Sequence, residues 1–169
     1  MSVILYAHPK TLGIDGFFFR SQKEWDEAYP EVKDRYGDQI TAFDIEFIKG
    51  DEIASEFAKY WHLTQDNWAQ YLEIIATWDI YAKLSFIIAA GHHNKTFDHH
   101  SVHSAFFDVD IYFVDTIKDL AHYFIKEGTL GDIPDIYKIY IDQDKFACDL
   151  SDEYSTFEIA NTKLVYRCA

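Results

Sequence analysis

Residues 107 to 153 read FDVDIYFVDTIKDLAHYFIKEGTLGDIPDIYKIYIDQDKFACDLSDE, and the pattern of this stretch decides the predicted fold. Its first half repeats apolar residues at helical spacing, at Ile117, Leu120, Ala121, Phe124 and Ile125. Gly128 is predicted to end this helix and Pro134 to begin the next. The apolar face is predicted to continue through Ile136, Ile139, Tyr140, Phe146, Cys148 and Leu150. Acidic residues fill most of the gaps, so we expect one core and one densely acidic outer surface.

The composition excludes several classes of protein. The chain has 169 residues, 29 acids against 15 bases, and a net charge of −14, which repels nucleic acid and anionic membranes and favours a basic partner. An aromatic content of 18% indicates a packed core rather than a disordered acidic tail. The longest apolar run, 86–90, is too short to cross a bilayer, and the first ten residues lack the features of a signal peptide. Cys148 and Cys168 form no CxxC pair, which favours free thiols and a cytoplasmic protein.

The order of the patterns predicts an α+β fold built as an elongated chain of small modules. Residues 1–48 are predicted to form a sheet with one helix, because the alternating run 40–48 is typical of a strand and Ser21 with Glu24 forms a capping box. Residues 49–107 predict a helical bundle whose Trp and Tyr stripes form its core, with Asp51 and Thr64 as helix N-caps. Residues 108–169 predict a mixed α/β module.

The acidic charge is concentrated in this last module, which carries thirteen acids against six bases, a net charge of −7. The module is predicted to end in a hairpin with strands at 155–160 and 163–167, joined by a turn at Asn161 and Thr162.

The motifs of common enzymes are absent from the sequence. It contains no phosphate loop, dinucleotide fingerprint, nucleophile elbow or HExxH motif, so we expect neither an enzyme nor a cofactor. One cluster between residues 91 and 103 leaves a metal-binding alternative open, with His92, His93, His99 and His103 as candidate ligands. His99 and His103 would face one ion if this segment were helical, whereas a solvated loop would place no metal there.

The stretch 107–153 resembles the C-terminal part of the ArdA antirestriction family. The resemblance is carried by an aromatic-acidic lead at 112–116, a helix, Ile133-Pro134, Tyr140-Ile141-Asp142, Phe146-Ala147 and Asp149-Leu150. Residues 16–17 and 42–46 resemble strands near the start of that family. The chain departs from the family pattern at Gln143, where tyrosine is usual, and at Cys148, where arginine is usual.

The resemblance implies a DNA mimic, a homodimer whose carboxylates imitate duplex phosphates and occupy the DNA groove of type I restriction-modification enzymes. The phosphate-mimic positions it implies are Asp44, Glu46, Asp108, Asp110, Asp115, Asp119, Asp135, Asp142, Asp144, Asp149, Asp152 and Glu153. Two of these, Asp115 and Asp135, have the alternative role of capping or preceding a helix. The resemblance also implies that Tyr140, Ile141 and Phe146 form or support the dimer interface. A different basic DNA-binding protein is the remaining alternative partner.

Overall fold

The computed structural model describes residues 2–93, 95–99, 101–103, 108–129 and 131–168. The chain divides into two compact units, unit 1 at Met1–Phe107 and unit 2 at Asp108–Ala169. The predicted α+β class is confirmed: a three-stranded antiparallel sheet with a helix comes first, helices follow, and a second sheet with helices comes last. The boundary between residues 48 and 49 and the elongated arrangement stay predictions. No described helix combines the length and the apolar character that crossing a bilayer requires.

Unit 1 begins with a sheet of order β2-β1-β3, in which both neighbouring pairs are antiparallel. Its elements are β1 (Ile4–Pro9), β2 (Phe17–Phe19), α1 (Gln22–Ala28), a 3₁₀ turn (Tyr29–Glu31) and β3 (Phe43–Lys49). The predicted capping box is confirmed, since the Ser21 hydroxyl accepts from Glu24 N at 3.2 Å and the Glu24 carboxylate accepts from Arg20 N at 2.8 Å. Phe19, Trp25 and Phe43 are buried where α1 packs on the sheet, as the alternation of β3 requires.

The helices of unit 1 are α2 (Glu52–Trp61), α3 (Trp68–Thr77) and α4 (Ile80–Phe86), which continues into a π-helical segment (Ile87–His92). Asp51 caps α2 as predicted, accepting from Ala54 N at 2.8 Å. The prediction that Thr64 caps α3 is wrong, because α3 begins later and Asn67 holds the N-cap position. The buried Asn67 side chain instead closes the preceding turn, accepting from Thr64 N at 2.8 Å. Of the predicted Trp and Tyr stripes, Trp68 and Tyr71 are buried, and so is Trp61, whereas Tyr81 is 51% exposed and lies outside the core.

Unit 2 is a second antiparallel sheet, of order β4-β6-β5, packed with helices. Its elements are β4 (Val109–Tyr112), α5 (Ile117–Glu127), α6 (Asp135–Lys138), α7 (Gln143–Leu150), β5 (Ser155–Ile159) and β6 (Thr162–Cys168). Leu120 and Phe124 of α5 pack with Tyr154 and Val165 to form the core. Gly128 ends α5 at φ 75°, the left-handed conformation that favours glycine, as predicted.

Two local predictions for unit 2 are wrong. The apolar face does not continue into α6, because Ile136, Ile139 and Tyr140 are exposed, and Cys148 is exposed as well. A helix of four residues offers only one turn, so it cannot bury a stripe on the core. The hairpin turn is formed by Ala160 and Asn161, both at positive φ, one position earlier than predicted. Phe107, the first residue of the stretch that decided the prediction, lies outside the described residues.

Candidate acidic surface

Helix capping fixes two of the predicted acids of unit 2. Thr116 is the N-cap of α5: its hydroxyl accepts from Asp119 N at 3.1 Å and donates to Asp119 Oδ2 at 2.6 Å. Asp142 is the N-cap of α7 and accepts from Lys145 N at 3.0 Å. These bonds satisfy amide groups that a helix N-terminus leaves open. Asp119 and Asp142 therefore stabilise helices in addition to adding negative charge to the surface.

Arg167 gathers two further acids around the sheet of unit 2. It lies on β6 opposite Asp110 of β4, and its Nε and Nη2 donate to Asp110 Oδ2 at 3.2 and 2.6 Å. Its Nη1 donates to Glu153 Oε2 at 3.1 Å, and its guanidinium lies 5.2 Å from the centre of the Tyr154 ring. The hydrogen bonds that Arg167 donates to Asp110 and, to a lesser extent, to Glu153 raise the pKa of Arg167 above its ordinary value. Asp110 and Glu153 are thus already engaged by a cation of the same unit.

Two lysines engage two more of the predicted acids. Lys118 Nζ of α5 lies 2.5 Å from Asp144 Oδ1 of α7, and the hydrogen bond and charge of Asp144 raise the pKa of Lys118. Lys138 Nζ lies 3.0 Å from Asp135 Oδ1 within α6. The alternative that Asp135 caps or precedes this helix is wrong, because Pro134 holds the N-cap position and Asp135 is the first residue of the helix. Local cations therefore reduce the charge that Asp135 and Asp144 present to a partner.

The two predicted acids of unit 1 lie on the outer face of β3. Lys10 Nζ of the loop after β1 lies 2.8 Å from Asp44 Oδ1, and His8 Nε2 lies 2.7 Å from Glu46 Oε2. Both carboxylates are more than half exposed, as the alternation of β3 predicted. The His8–Glu46 pair joins β1 to β3 diagonally, since His8 is opposite Asp44 in the register, and the Lys10–Asp44 pair joins the end of β1 to β3.

Four predicted acids remain exposed, and within the described part of the chain they form no ion pair: Asp108, Asp115, Asp149 and Asp152. Asp149 on α7 and Asp152 just after it are exposed, whereas Phe146 and Leu150 of the same helix pack on the core. Sequence reasoning missed two comparable residues of unit 2, Asp132 and Glu158, which are also exposed. Their only signal in the sequence is a polar position between apolar neighbours, which does not distinguish them from other surface acids.

The predicted histidine ligands do not converge. Residues 95–99 and 101–103 form turns and irregular backbone rather than a helix. His99 and His103 therefore do not share the helix face that would direct both side chains to one ion. His99 Nε2 instead bonds to the carbonyl oxygen of Trp61 at 2.8 Å, while His92 and His93 end the π-helical segment. No group of three His, Cys, Asp or Glu side chains that could hold a metal occurs among the described residues. His100, also in the cluster, lies outside those residues.

The predicted interface residues fall into two environments. Tyr140 is 79% exposed and lies beside three other exposed apolar residues, Ile136, Tyr137 and Ile139. Phe146 is partly buried and packs against the core of unit 2, where it supports α7. Ile141 is intermediate in exposure. The homodimer itself stays a prediction.

Comparison with known proteins finds no matching family model and no matching curated protein. The arrangement of acids in unit 2 can attract and bind cationic groups.

Proposed function

We propose that this protein is a non-enzymatic inhibitor that acts as a DNA mimic, with its surface carboxylates occupying the DNA-binding groove of a type I restriction-modification enzyme. The observation that carries the proposal is the surplus of acids in unit 2. Thirteen acids face six bases there, so at least seven carboxylates stay uncompensated however the ion pairs are arranged. The resemblance of residues 107–153 to the antirestriction family supports the choice of target.

The physical basis is competition for the cations that bind phosphate. Duplex DNA presents about one negative charge per ~1.7 Å of its axis, and DNA-binding grooves meet these charges with Lys and Arg. The four acids Asp108, Asp115, Asp149 and Asp152 are exposed and form no ion pair within the described chain, so they are the side chains that a cationic groove would contact first. Asp149 lies on α7, and the other three acids lie within a few residues of β4, α5 or α7. The packed core around Leu120 holds these elements in place, which limits the entropy lost on docking.

The proposal includes the cellular context that such a target requires. The protein would act in the cytoplasm, where restriction enzymes meet incoming DNA, and would need no cofactor. It would work as a homodimer, which doubles the number of displayed carboxylates. The exposed apolar residues of α6 and its C-terminal end are compatible with an interface, because contiguous exposed apolar surface marks interaction sites.

The test compares two quadruple variants of equal net charge. The first replaces the predicted acids Asp108, Asp115, Asp149 and Asp152 by amides (D108N, D115N, D149N, D152N), and the control does the same to four exposed acids of unit 1 (D15N, E31Q, D66N, E73Q). Each exposed charge contact contributes about 0.2–1 kcal/mol, so we expect the first variant to inhibit DNA cleavage by a purified type I enzyme at least about four-fold less well. The control variant should lose much less inhibition, because it loses long-range attraction but none of the docked contacts.

Three outcomes would count against the proposal. Equal loss in both variants would show that net charge alone matters, and no loss in either would remove the electrostatic account. If the parent protein fails to inhibit the type I enzyme but binds another basic DNA-binding protein, the proposed target is wrong and that second protein is the target. Inhibition should also weaken between low and physiological salt, because screening shortens the reach of exposed charges.

A further inference from the structure

The outer edge of β3 offers unpaired backbone groups. Among the described strands β3 has one neighbour, β1, and lies at the edge of its sheet. Lys10 N donates to Ala42 O at 3.0 Å, so the backbone groups of Ala42 are directed toward the β1 side, and this contact fixes which residues of β3 face β1. In an antiparallel pair, every second residue directs its N–H and C=O toward the neighbouring strand and the residues between direct theirs away. The backbone groups of Phe43, Ile45 and Phe47 therefore face away from β1.

The first of these outward positions is already paired with an amide. Phe43 N donates to Gln65 Oε1 at 2.9 Å, and Gln65 Nε2 donates to Thr41 O at 2.9 Å. The side-chain carboxamide thus takes the place that a peptide group of a fourth strand would take. This contact confirms the outward direction of the Phe43 N–H, and it ends before Ile45, the next outward position.

Beyond Gln65 the edge opens into a groove between β3 and α2. The groove has a volume of about 550 Å³ and is lined on the strand side by Ile45 and Phe47. On the other side it is lined by Ser55, Ala58 and Lys59 of α2 and by the residues that follow the helix, His62, Leu63 and Thr64. Ser55 and Ala58 are small and leave space beside the strand. Ala58 and Leu63 form the apolar part of this wall, which suits small apolar side chains that point from an added strand toward the helix.

The outer face of β3 beside this edge is acidic. Asp44 and Glu46 keep 71% and 59% of their side-chain surface exposed even though Lys10 and His8 contact them from the β1 side. Opposite charges on adjacent strands stabilise a sheet, whereas like charges directly opposite destabilise it. A strand added at this edge would thus place the side chains of its outer face beside carboxylates.

We propose that the groove between β3 and α2 binds an extended segment of a partner protein as a fourth strand, with small apolar residues facing α2 and Lys or Arg on the outer face. Backbone hydrogen bonds to Ile45 and Phe47 provide the affinity. The side chains of the added strand, which alternate between the α2 side and the acidic outer face, determine which sequences bind. This inference concerns unit 1 alone and does not depend on inhibition of a restriction enzyme.

The probe is a fluorescent, end-capped heptapeptide of alternating lysine and valine, titrated into the full chain. We expect saturable binding that Ser55→Trp weakens at least about ten-fold, because the indole fills the groove from an exposed position on α2. The matched control, Ala76→Trp, places the same ring at an exposed position of α3 outside the groove and should leave binding unchanged.

Two N-methylated peptides separate strand addition from simple charge attraction. Methylation of all valine N–H groups blocks an antiparallel added strand, and methylation of all lysine N–H groups blocks a parallel one, with the charge unchanged. We expect one of the two peptides to lose binding and the other to keep it. Binding kept by both would show charge attraction alone, and binding lost by both, or absent for the parent peptide, would also overturn the proposal.

Amide hydrogen exchange provides a second readout that needs no variant. The amides of Asp44 and Glu46, which face β1, should exchange slowly in the free protein, whereas those of Ile45 and Phe47 should become protected only when peptide is added. Uniform protection along β3 would contradict strand addition at this edge. Protection of Ile45 and Phe47 that rises with protein concentration alone would assign the edge to a second copy of the chain and overturn the proposal.

Discussion

Replacement of Leu120 by alanine tests whether the core of unit 2 is assigned correctly. Leu120 is fully buried and packs with Phe124, Tyr154 and Val165. The lost carbons cost about 0.8 kcal/mol each on transfer, and the remaining cavity adds to this, which places buried Leu→Ala changes at about 2–5 kcal/mol. The surrounding residues Tyr112 and Phe146 are only partly buried and can move inward, so we expect about 3 kcal/mol.

This loss is large for a unit of about 60 residues, whose whole stability is about 3–9 kcal/mol at typical values per residue. The measurement is amide exchange in α5 and β6 together with urea unfolding followed by circular dichroism. Tryptophan fluorescence is unsuitable, because all four tryptophans of the chain precede residue 108. The matched control is Leu12→Ala, at a residue 99% exposed, which should change stability by less than about 0.5 kcal/mol. Equal effects of Leu120→Ala and Leu12→Ala would refute the assigned core.

Two further changes test buried and strained positions. The Tyr71 hydroxyl donates to Ala54 O at 2.8 Å, and Tyr71→Phe should cost about 1 kcal/mol at neutral pH by urea unfolding. Burial, and to a lesser extent the charge of Asp51, raises the pKa of Tyr71 above its ordinary value near 10. The stability that the neutral Tyr71 hydroxyl contributes is therefore present below pH 10 and is lost as the pH rises further. Tyr71→Phe should make this alkaline loss of stability smaller, and an unchanged pH profile of stability would contradict the prediction. Ala160 has φ 52° in the β5–β6 turn, and Ala160→Gly should raise the free energy of unfolding by about 0.5–1 kcal/mol, whereas a decrease would contradict strain there.

The elements that sequence predicted well are those with several agreeing local signals. Helix α5 has a three-and-four apolar stripe and a glycine at its C-terminal end, and the structure buries Leu120, Phe124 and their neighbours and ends the helix at Gly128. The alternation of residues 40–48 likewise predicted a strand, although it begins only at Phe43. Local propensity, periodicity and capping all favour the same structure in these segments, which is the condition under which local prediction succeeds.

The errors arise where spacing alone was used. Ile136, Ile139 and Tyr140 have helical spacing, but the helix they belong to has four residues and all three are exposed. Periodicity describes which residues share a face and does not say whether that face meets a core. The same limit explains the histidines: His99 and His103 have ligand spacing only on a helix, and their segment is not helical.

Ion pairing could not be predicted, because it joins residues that are far apart in sequence. Asp110 precedes Arg167 by 57 residues, and Lys118 and Asp144 come from different helices. Six of the twelve predicted phosphate-mimic acids contact a basic side chain, and in five of them that side chain is distant in sequence. The sixth, Asp135, pairs with Lys138 within one helical turn. The charge surplus, by contrast, follows directly from composition and does not change with the pairing.

The difference between net charge and position separates two stages of binding to a cationic groove. Long-range attraction depends on the net charge, which falls from −14 to about −10 in both quadruple variants, so both should associate more slowly to a similar extent. Once docked, the partner contacts particular carboxylates, so only the unit 2 variant should dissociate faster. Surface plasmon resonance against the type I enzyme resolves the two rates. A faster dissociation of the unit 1 variant would show that the bound surface lies on unit 1.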